Sequence, residues 1–520
     1  MNLPPVPPVA PPAPGPEVKD KGLKGGALGL FSSTVIGLAS TAPAYSLAAT
    51  LGVIVTVVGY QSPIVIVLAF VPMFLIAYGY KELNRAHPDC GTTFAWASRA
   101  FGPRTGWLGG WGIVAADIIV MANLAQIAGS YGFQLVGAQG LAENTFWVTV
   151  VGITWIAVMT LICYIGIEVS ANFQKLLLTV EVVVLLLLAV TALVKVYGGT
   201  APSVSSEVSW SWFDPARIAS VDALTTSVLA GVFIYWGWDT AVSVNEETVD
   251  RDRTPGRAAV ISTVILLLVY LMVTTFALAF AGTGDTGIGL ANPAHADDVL
   301  SSLGAEVFGS GAWGGIATRL LILMVLTSAA ASTQTTILPT ARTTLSMAVH
   351  QAVPDRFARI HPRFLTPTWS TIGMGLASIA FYVLLTRVSK NVLADSIGSV
   401  GLMIAFYYGL TGFACVWYHR RVLRRSPRDL WTKGIMPGLG GVLLFYFFVD
   451  ACVVYSAADY GSTSWTLPFP PHWRLGGVFV TGIGALLLGA VLMLVYRRIR
   501  PGFFRGETLP VSAADPDTSG

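Results

Sequence analysis

Charge is what this sequence has least of. Only 11% of its residues are Asp, Glu, Lys or Arg, against about 25% in a soluble domain, which excludes a surface facing water on all sides. Cysteine is scarce as well. The four residues Cys90, Cys163, Cys415 and Cys452 form no CxxC pair, so they read as reduced structural thiols and not as a redox or zinc centre. The six histidines fall mainly in loops. No HExxH, Walker loop, GxSxG or paired catalytic His and acid is present, which argues against an enzyme and gives no cofactor or metal site. Repeated filter elements and charged rings, which a channel needs, are missing too. A non-transporting membrane sensor stays as the alternative outside transport, although no appended soluble domain through which it would signal is expected.

What the chain has instead is apolar residues, 54% of the total, in runs of roughly twenty, the length that spans about 30 Å of hydrocarbon. The pattern predicts an all-α integral membrane protein with twelve spanning segments. They lie near 27–58, 63–81, 105–137, 145–167, 172–196, 220–248, 258–282, 314–340, 367–386, 392–418, 434–457 and 475–497. Placing the N-terminus inside puts 25 of the 31 lysines and arginines on the cytoplasmic side, including Lys19, Lys21, Lys24, Arg342 and the Arg420–Lys433 cluster. That asymmetry predicts a plasma (inner) membrane protein with both termini cytoplasmic. The Pro-rich start, Pro4 to Pro16, lacks the basic and apolar regions of a cleaved signal. Residues 1–24 and 501–520 are expected to be disordered cytoplasmic tails. Small residues spaced by four, Gly102, Gly106 and Gly110, read as close helix contacts.

Two segments are interrupted at mid-membrane depth. Segment 1 reads Val35-Ile36-Gly37-Leu38-Ala39-Ser40-Thr41-Ala42-Pro43, and segment 6 reads Phe233-Ile-Tyr235-Trp236-Gly237-Trp238-Asp239-Thr240. Unwound backbone survives at that depth only where it lines a cavity or is buried in protein. Either interruption alone is most simply a Gly/Pro kink. As a pair, at the first helix of each of two five-helix halves, they point to a substrate site in an inverted-repeat transporter. A half-helix starting there exposes N–H groups and a positive dipole end that attract a carboxylate. Unwound carbonyls attract an ammonium group. The expected organisation is residues 25–200 as the first repeat, 201–420 as the second, and 421–500 as two extra helices.

Three stretches resemble the amino acid–polyamine–organocation superfamily, of bacterial amino acid permease type. Pro88-Asp-Cys-Gly-Thr-Thr-Phe94 with Gly106-Trp-Leu-Gly-Gly-Trp111 is similar to its Pro-x-x-Gly-Gly-x-Tyr…Gly-x-x-x-Gly-Trp signature. Gly237-Trp-Asp239 running into Asn245-Glu-Glu-Thr248 and Arg251-Asp-Arg-Thr-Pro255 resembles its segment 6 stretch. Arg342-Thr-Thr-Leu-Ser-Met-Ala348 with Arg359-Ile-His-Pro362 and Thr366-Pro367 resembles its loop after segment 8. The family's Gly-Ser-Gly of the first helix reads Gly37-Leu38-Ala39 here, and His350-Gln351 replaces its Arg-Asp. The resemblance implies a five-plus-five inverted-repeat fold with two added helices. It also implies alternating-access transport of an amino acid, with a polyamine or other amine, or amino acid exchange, as alternatives. The implied substrate site comprises Ile36, Gly37, Leu38, Ala39, Ser40, Thr41, Asp117, Phe233 as a gate, Tyr235, Trp236, Gly237 and Asp239.

Carboxylates at mid-membrane are costly and usually functional. Asp117, Glu181 and Asp239 lie there without an evident basic partner, which tilts the reading toward a cationic substrate. The resemblance places Glu181 beside the unwound part of segment 1 and implies that it carries the coupling proton. The plainer reading pairs Glu181 with Lys175 or a polar neighbour. Asp117 has a plainer reading too, bonded to Asn123 or a helix end. Sodium is the alternative coupling ion, through Thr327-Ser328 and Ser332-Thr333, although such hydroxyls also bond to their own helix. Glu246 and Glu247 are expected to pair with Arg251 and Arg253 or to sit solvated. The expected partners are thus a small molecule, a proton and the lipid bilayer, with no nucleic acid.

Overall fold

The computed structural model describes residues 20–295, 298–309 and 312–511. The chain is a bundle of long helices. In the first part these are α1 (Leu30–Ser40), α2 (Pro43–Val58), α3 (Ser62–Ala86), α4 (Thr93–Phe101), α5 (Pro103–Leu135), α6 (Gln139–Ala142), α7 (Thr145–Ile165) and α8 (Ile167–Tyr197). After two short 3₁₀ turns come α9 (Val221–Ile234), α10 (Thr240–Ser243), α11 (Thr254–Ala281), α12 (Val299–Phe308), α13 (Ala312–Val349), α14 (Thr368–Val388) and α15 (Lys390–His419). The last part holds α16 (Pro427–Asp429), α17 (Met436–Ser456), α18 (Gly477–Ile499) and α19 (Pro501–Phe504). A small antiparallel hairpin, β1 (Ser464–Thr466) with β2 (Arg474–Gly476), joins α17 to α18 and pairs Trp465 with Leu475.

Helix boundaries follow the breakers. Gly166, at φ 152°, separates α7 from α8. Gly102, at φ 100°, separates α4 from α5, and Pro103 opens α5 where a missing N–H costs nothing. Asn144 caps α7 by accepting from the N–H groups of Phe146 (3.0 Å) and Trp147 (3.4 Å). Among the described residues, ten helical stretches are long and apolar enough to cross a membrane, with Leu30–Ala86 counted as one and the shorter α9 left out.

Side chains sort as lipid demands. Large apolar groups point outward, for example Phe146, Leu161, Leu268, Val453 and Leu487. Hydroxyls and amides are turned inward, densest on α13, where Ser328, Thr333, Gln334, Thr335 and Thr343 are fully buried. At the centre, α5 lies against α13 and α15, and α1 lies against α8, α11 and α13. The glycines spaced by four serve close approach. A Cβ at Gly106 would come within 1.9 Å of Ser98 Oγ, and one at Gly110 within 3.0 Å of Phe94.

Both chain ends are ordered further than expected. Lys21 is buried at the N-terminal side, and Leu28 bridges to Thr248. Beyond Arg500 the chain continues through α19. Phe503 and Leu509 are buried against Phe94, Trp107 and Met347, while the Thr508 hydroxyl donates to the His350 carbonyl at 2.5 Å. The apolar pair Phe503-Phe504 supplies the buried area that a disordered tail would lack. Residues 1–19 and 512–520, the remainder of the two expected tails, lie outside the described residues.

Candidate functional site

The first helix breaks over two residues. Helix α1 runs through Gly37, Leu38 and Ala39 to Ser40, and Ala42 then turns into the left-handed region at φ 46°. Pro43, which has no N–H, starts α2. The N–H groups of Thr41 and Ala42 fold back onto the carbonyls of Leu38 and Ala39 at 3.2 Å. Those at the start of α2 are taken by side chains. Ala44 N–H donates to Glu181 Oε1 at 2.8 Å, and Tyr45 N–H donates to Ser328 Oγ at 3.1 Å. The Ser328 hydroxyl donates in turn to Glu181 Oε1 at 2.8 Å. The positive end of α2 therefore does hold a carboxylate, but it is the protein's own. Glu181 Oε2 is buried and has no partner among the described residues. Lys175 takes no part in this arrangement and bonds Asn172.

The second break is longer. Residues Tyr235–Asp239 are non-helical, with Gly237 at φ 120°. A Cβ on Gly237 would lie 2.7 Å from the Ser40 carbonyl, so glycine here serves both the backbone turn and the contact between the two breaks. The helix that resumes, α10, is only four residues long, too short for the dipole expected of a half-helix. Among the described residues, neither the Gly237 nor the Trp238 N–H donates to a backbone carbonyl. Pro339 inside α13 leaves the Thr335 carbonyl without its helical donor, and the Thr240 hydroxyl reaches it at 3.4 Å. Thr240 also shares a 2.8 Å hydrogen bond with Ser40, tying the breaks together.

Between the breaks, α5, α13 and α15 close a small cavity of about 10 Å³, room for about one water, lined by Ser40, Ile113, Asp117, Trp236, Gly237, Asp239, Thr240, Thr336, Pro339 and Tyr407. Two of these residues are carboxylates and none is a cation. Asp239 accepts from Tyr408 at 2.7 Å and from Tyr407 at 3.4 Å. Asp117 accepts from the Thr340 hydroxyl, not from Asn123, which bonds Tyr45. Tyr407 also accepts from the Trp236 indole.

Of the residues expected at the site, Ser40, Asp117, Trp236, Gly237 and Asp239 line this cavity. The others lie around it. Gly37 faces away, where an added Cβ would meet Ser262 Oγ at 2.7 Å. Ile36 and Ala39 are buried in a neighbouring apolar cluster, and Leu38 faces the outside of the bundle. The Thr41 hydroxyl bonds back to the Leu38 carbonyl at 2.7 Å. Phe233 is buried at the end of α9. Tyr235 points to the Ile66 carbonyl at 3.2 Å and meets Tyr270 edge-on. Glu181 sits behind the first break, outside the cavity lining. Thr336, Pro339, Tyr407 and Tyr408 were not picked out from the sequence. Proline inside a Ser/Thr-rich helix was the readable signal for Pro339, whereas a tyrosine pair in an apolar run carries none. The hydroxyls of the α13 pairs are engaged with different partners. Thr327 and Thr333 bond to their own helix, Ser328 to Glu181 and Ser332 to the Ser40 carbonyl.

Toward the end of the breaks where α1 starts, acids pair differently from expectation. Glu247 forms a two-pronged pair with Arg342, at 2.9 and 2.8 Å, both side chains fully buried. Glu246 pairs with Lys21, which also lies 3.1 Å from Asp89. Arg251 and Arg253 take neither acid, because the loop turns them outward. Burial works against charge at Lys21 and Asp89, but each outweighs it for the other. Asp89, also bonded by His350, is held well below the usual carboxylate range. Lys21, facing Asp89 and Glu246, is held above its ordinary range. His350 is thus a buried partner of Asp89. Asp89, Cys90 and Glu246 lie close enough to suggest a metal site, but the Lys21 ammonium occupies that position.

A family profile described as amino acid permease matches residues 28–493. The chain belongs to this family. Its relatives include an uncharacterized transporter of Mycobacterium tuberculosis, 28% identical over 91% of this chain and 92% of the relative. A low-affinity putrescine importer of Escherichia coli is 22% identical over 81% of this chain and 88% of its own length. A methylthioribose transporter of Bacillus subtilis is 23% identical over 68% and 75%. The permease is therefore a multi-span membrane protein of a transporter family.

Proposed function

We propose that this permease is a secondary active transporter that moves an amino acid or amine across the plasma membrane by alternating access, driven by protons and favouring cationic substrates. The observation that carries this reading is the cavity between the two broken helices, which holds Asp117 and Asp239 and no cationic side chain. A buried carboxylate pair without counter-charge is stabilised by a cation entering beside it. Aromatic faces at Trp236 and Tyr407 suit an ammonium group. Putrescine, the cargo in the name of one relative, has that chemistry.

The proton goes to Glu181. One of its oxygens is engaged by Ala44 and Ser328, and the other is buried and unpartnered, a position at which a bound proton removes the cost of a buried charge. The proposed topology is twelve crossings arranged as five plus five plus two, which counting the two parts of Leu30–Ala86 and the broken sixth segment separately supports, with both termini cytoplasmic as the distribution of lysine and arginine supports. The test is uptake of radiolabelled arginine, ornithine and putrescine into proteoliposomes, each competed by the others and by neutral amino acids. Competition by the cationic compounds is expected; a panel in which none of them blocks uptake removes the cationic assignment.

A further inference from the structure

Away from the cavity, α1, α8 and α11 leave a groove of about 300 Å³ on the outer surface of the bundle. Its walls are apolar, with Val35 and Leu38 from α1, Pro43 at the break, Val182 from α8 and Val269 from α11. Phe31, 71% exposed, and Val183, 50% exposed, show that it opens sideways, which in a membrane-spanning chain means toward lipid. One cation enters it. Lys175 lines the groove, and its ammonium bonds the Asn172 side-chain oxygen at 3.2 Å and meets no carboxylate among the described residues. From Lys175 to Val183 the groove follows eight residues of α8, about 12 Å, close to the roughly 15 Å of hydrocarbon in one leaflet. Lysines near helix ends reach for the interface along their own stems.

We propose that this groove binds one anionic phospholipid, its phosphate on Lys175 and one acyl chain laid along α1 to the break at Pro43. The charge at one end and the apolar length beyond it together select this occupant. A zwitterionic lipid such as phosphatidylcholine brings its own cation beside the Lys175 ammonium, and a free phosphate leaves the groove empty. The bound chain would lie against the outer side of the break whose inner side is held by Glu181.

Native mass spectrometry of the full-length protein in detergent, given equal amounts of phosphatidylglycerol and phosphatidylcholine, tests this. One retained phosphatidylglycerol per chain is expected, with little phosphatidylcholine. Lys175→Gln is expected to weaken retention about fivefold, the weight of one interfacial lysine on an anionic lipid. Val182→Trp keeps the charge and fills the groove, and is expected to lose the adduct as well; both variants are checked for monodisperse elution. Glycerol phosphate in excess is expected not to compete. Equal retention of the two lipids, wild-type retention by either variant, or displacement by glycerol phosphate would overturn the proposal.

Discussion

Glu181 engages one oxygen with the Ala44 N–H and the Ser328 hydroxyl and leaves the other buried without a partner among the described residues. A glutamine at this position keeps an acceptor for both donors but has no carboxyl to protonate. Glu181→Gln is therefore expected to abolish accumulation driven by a pH gradient while leaving substrate counterflow in place. Full pH-driven uptake by this variant contradicts the assignment of the proton. Asp117 and Asp239 face the cavity itself. Asp117→Asn and Asp239→Asn are each expected to weaken cationic substrates by at least about tenfold, since removing one member of a buried charge pair costs about 2–5 kcal/mol. Unchanged inhibition constants for arginine or putrescine in competition uptake would show that neither acid meets the cargo. All three acids were readable as candidates because carboxylates stand out in apolar runs. Their partners were not, because Thr340, Tyr407, Tyr408 and Ser328 come from helices far apart in sequence, and hydroxyls in apolar helices are ordinary.

At the scale of elements, the two breaks were legible from Gly, Pro and polar residues at mid-membrane depth, but their shapes were not. The stretch Gly37-Leu38-Ala39 stays helical because Leu and Ala favour helix, and Gly37 is needed for approach to Ser262. The turn falls at Ala42 because Pro43 disfavours helix in the residue before it. The anion-binding end of α2 exists as expected, but Glu181 fills it. At the second break, Gly237→Ala would place a side chain at φ 120° and 2.7 Å from Ser40. The expected result is a loss of about 1–3 kcal/mol of stability, read as a lower midpoint in thermal unfolding in detergent. A midpoint equal to wild type would mean that the breaks are not held this closely. The Arg342–Glu247 pair links α13 to the end of the sixth segment. Sequence proximity suggested Arg251 and Arg253 for that acid, and only the fold could bring Arg342 to it. Arg342→Ala leaves Glu247 buried and unpaired and is expected to cost about 3–5 kcal/mol. Arg342→Ala with Glu247→Ala together is expected to recover part of that loss. A single variant as stable as wild type would show the pair to be dispensable.

On the scale of the whole molecule, hydropathy and charge placement carried most of the reading, because lipid forces apolar side chains outward over every span. Residues 20–24 and 501–511 depart from the expected tails because composition reports average polarity and misses single anchors. Lys21, Phe503 and Leu509 are those anchors. The side of the bundle they close also holds His87, just past α3, bonded to Tyr418 at 2.7 Å. Burial, with Arg99 nearby, lowers its pKa from 6.5 to about 4. The folded value lies below the unfolded one, so His87 contributes stability that is fully present above pH 6.5 and is lost as pH falls from about 6.5 toward 4. The whole contribution is about 3 kcal/mol. Thermal midpoints of wild type and His87→Gln measured from pH 8 to pH 4 are expected to show a steeper decline for wild type within that window. Parallel curves would contradict it.

The central claim is that two broken helices enclose a cation-accepting site coupled to a proton at Glu181. Its most direct measurement is uptake of a cationic amino acid or diamine into proteoliposomes under separately imposed proton and sodium gradients. Accumulation above the external concentration is expected when the outside is made acidic, with no added drive from sodium and with loss of the proton-driven component in Glu181→Gln. Equilibration without accumulation under a proton gradient, or accumulation driven by sodium alone, would contradict it.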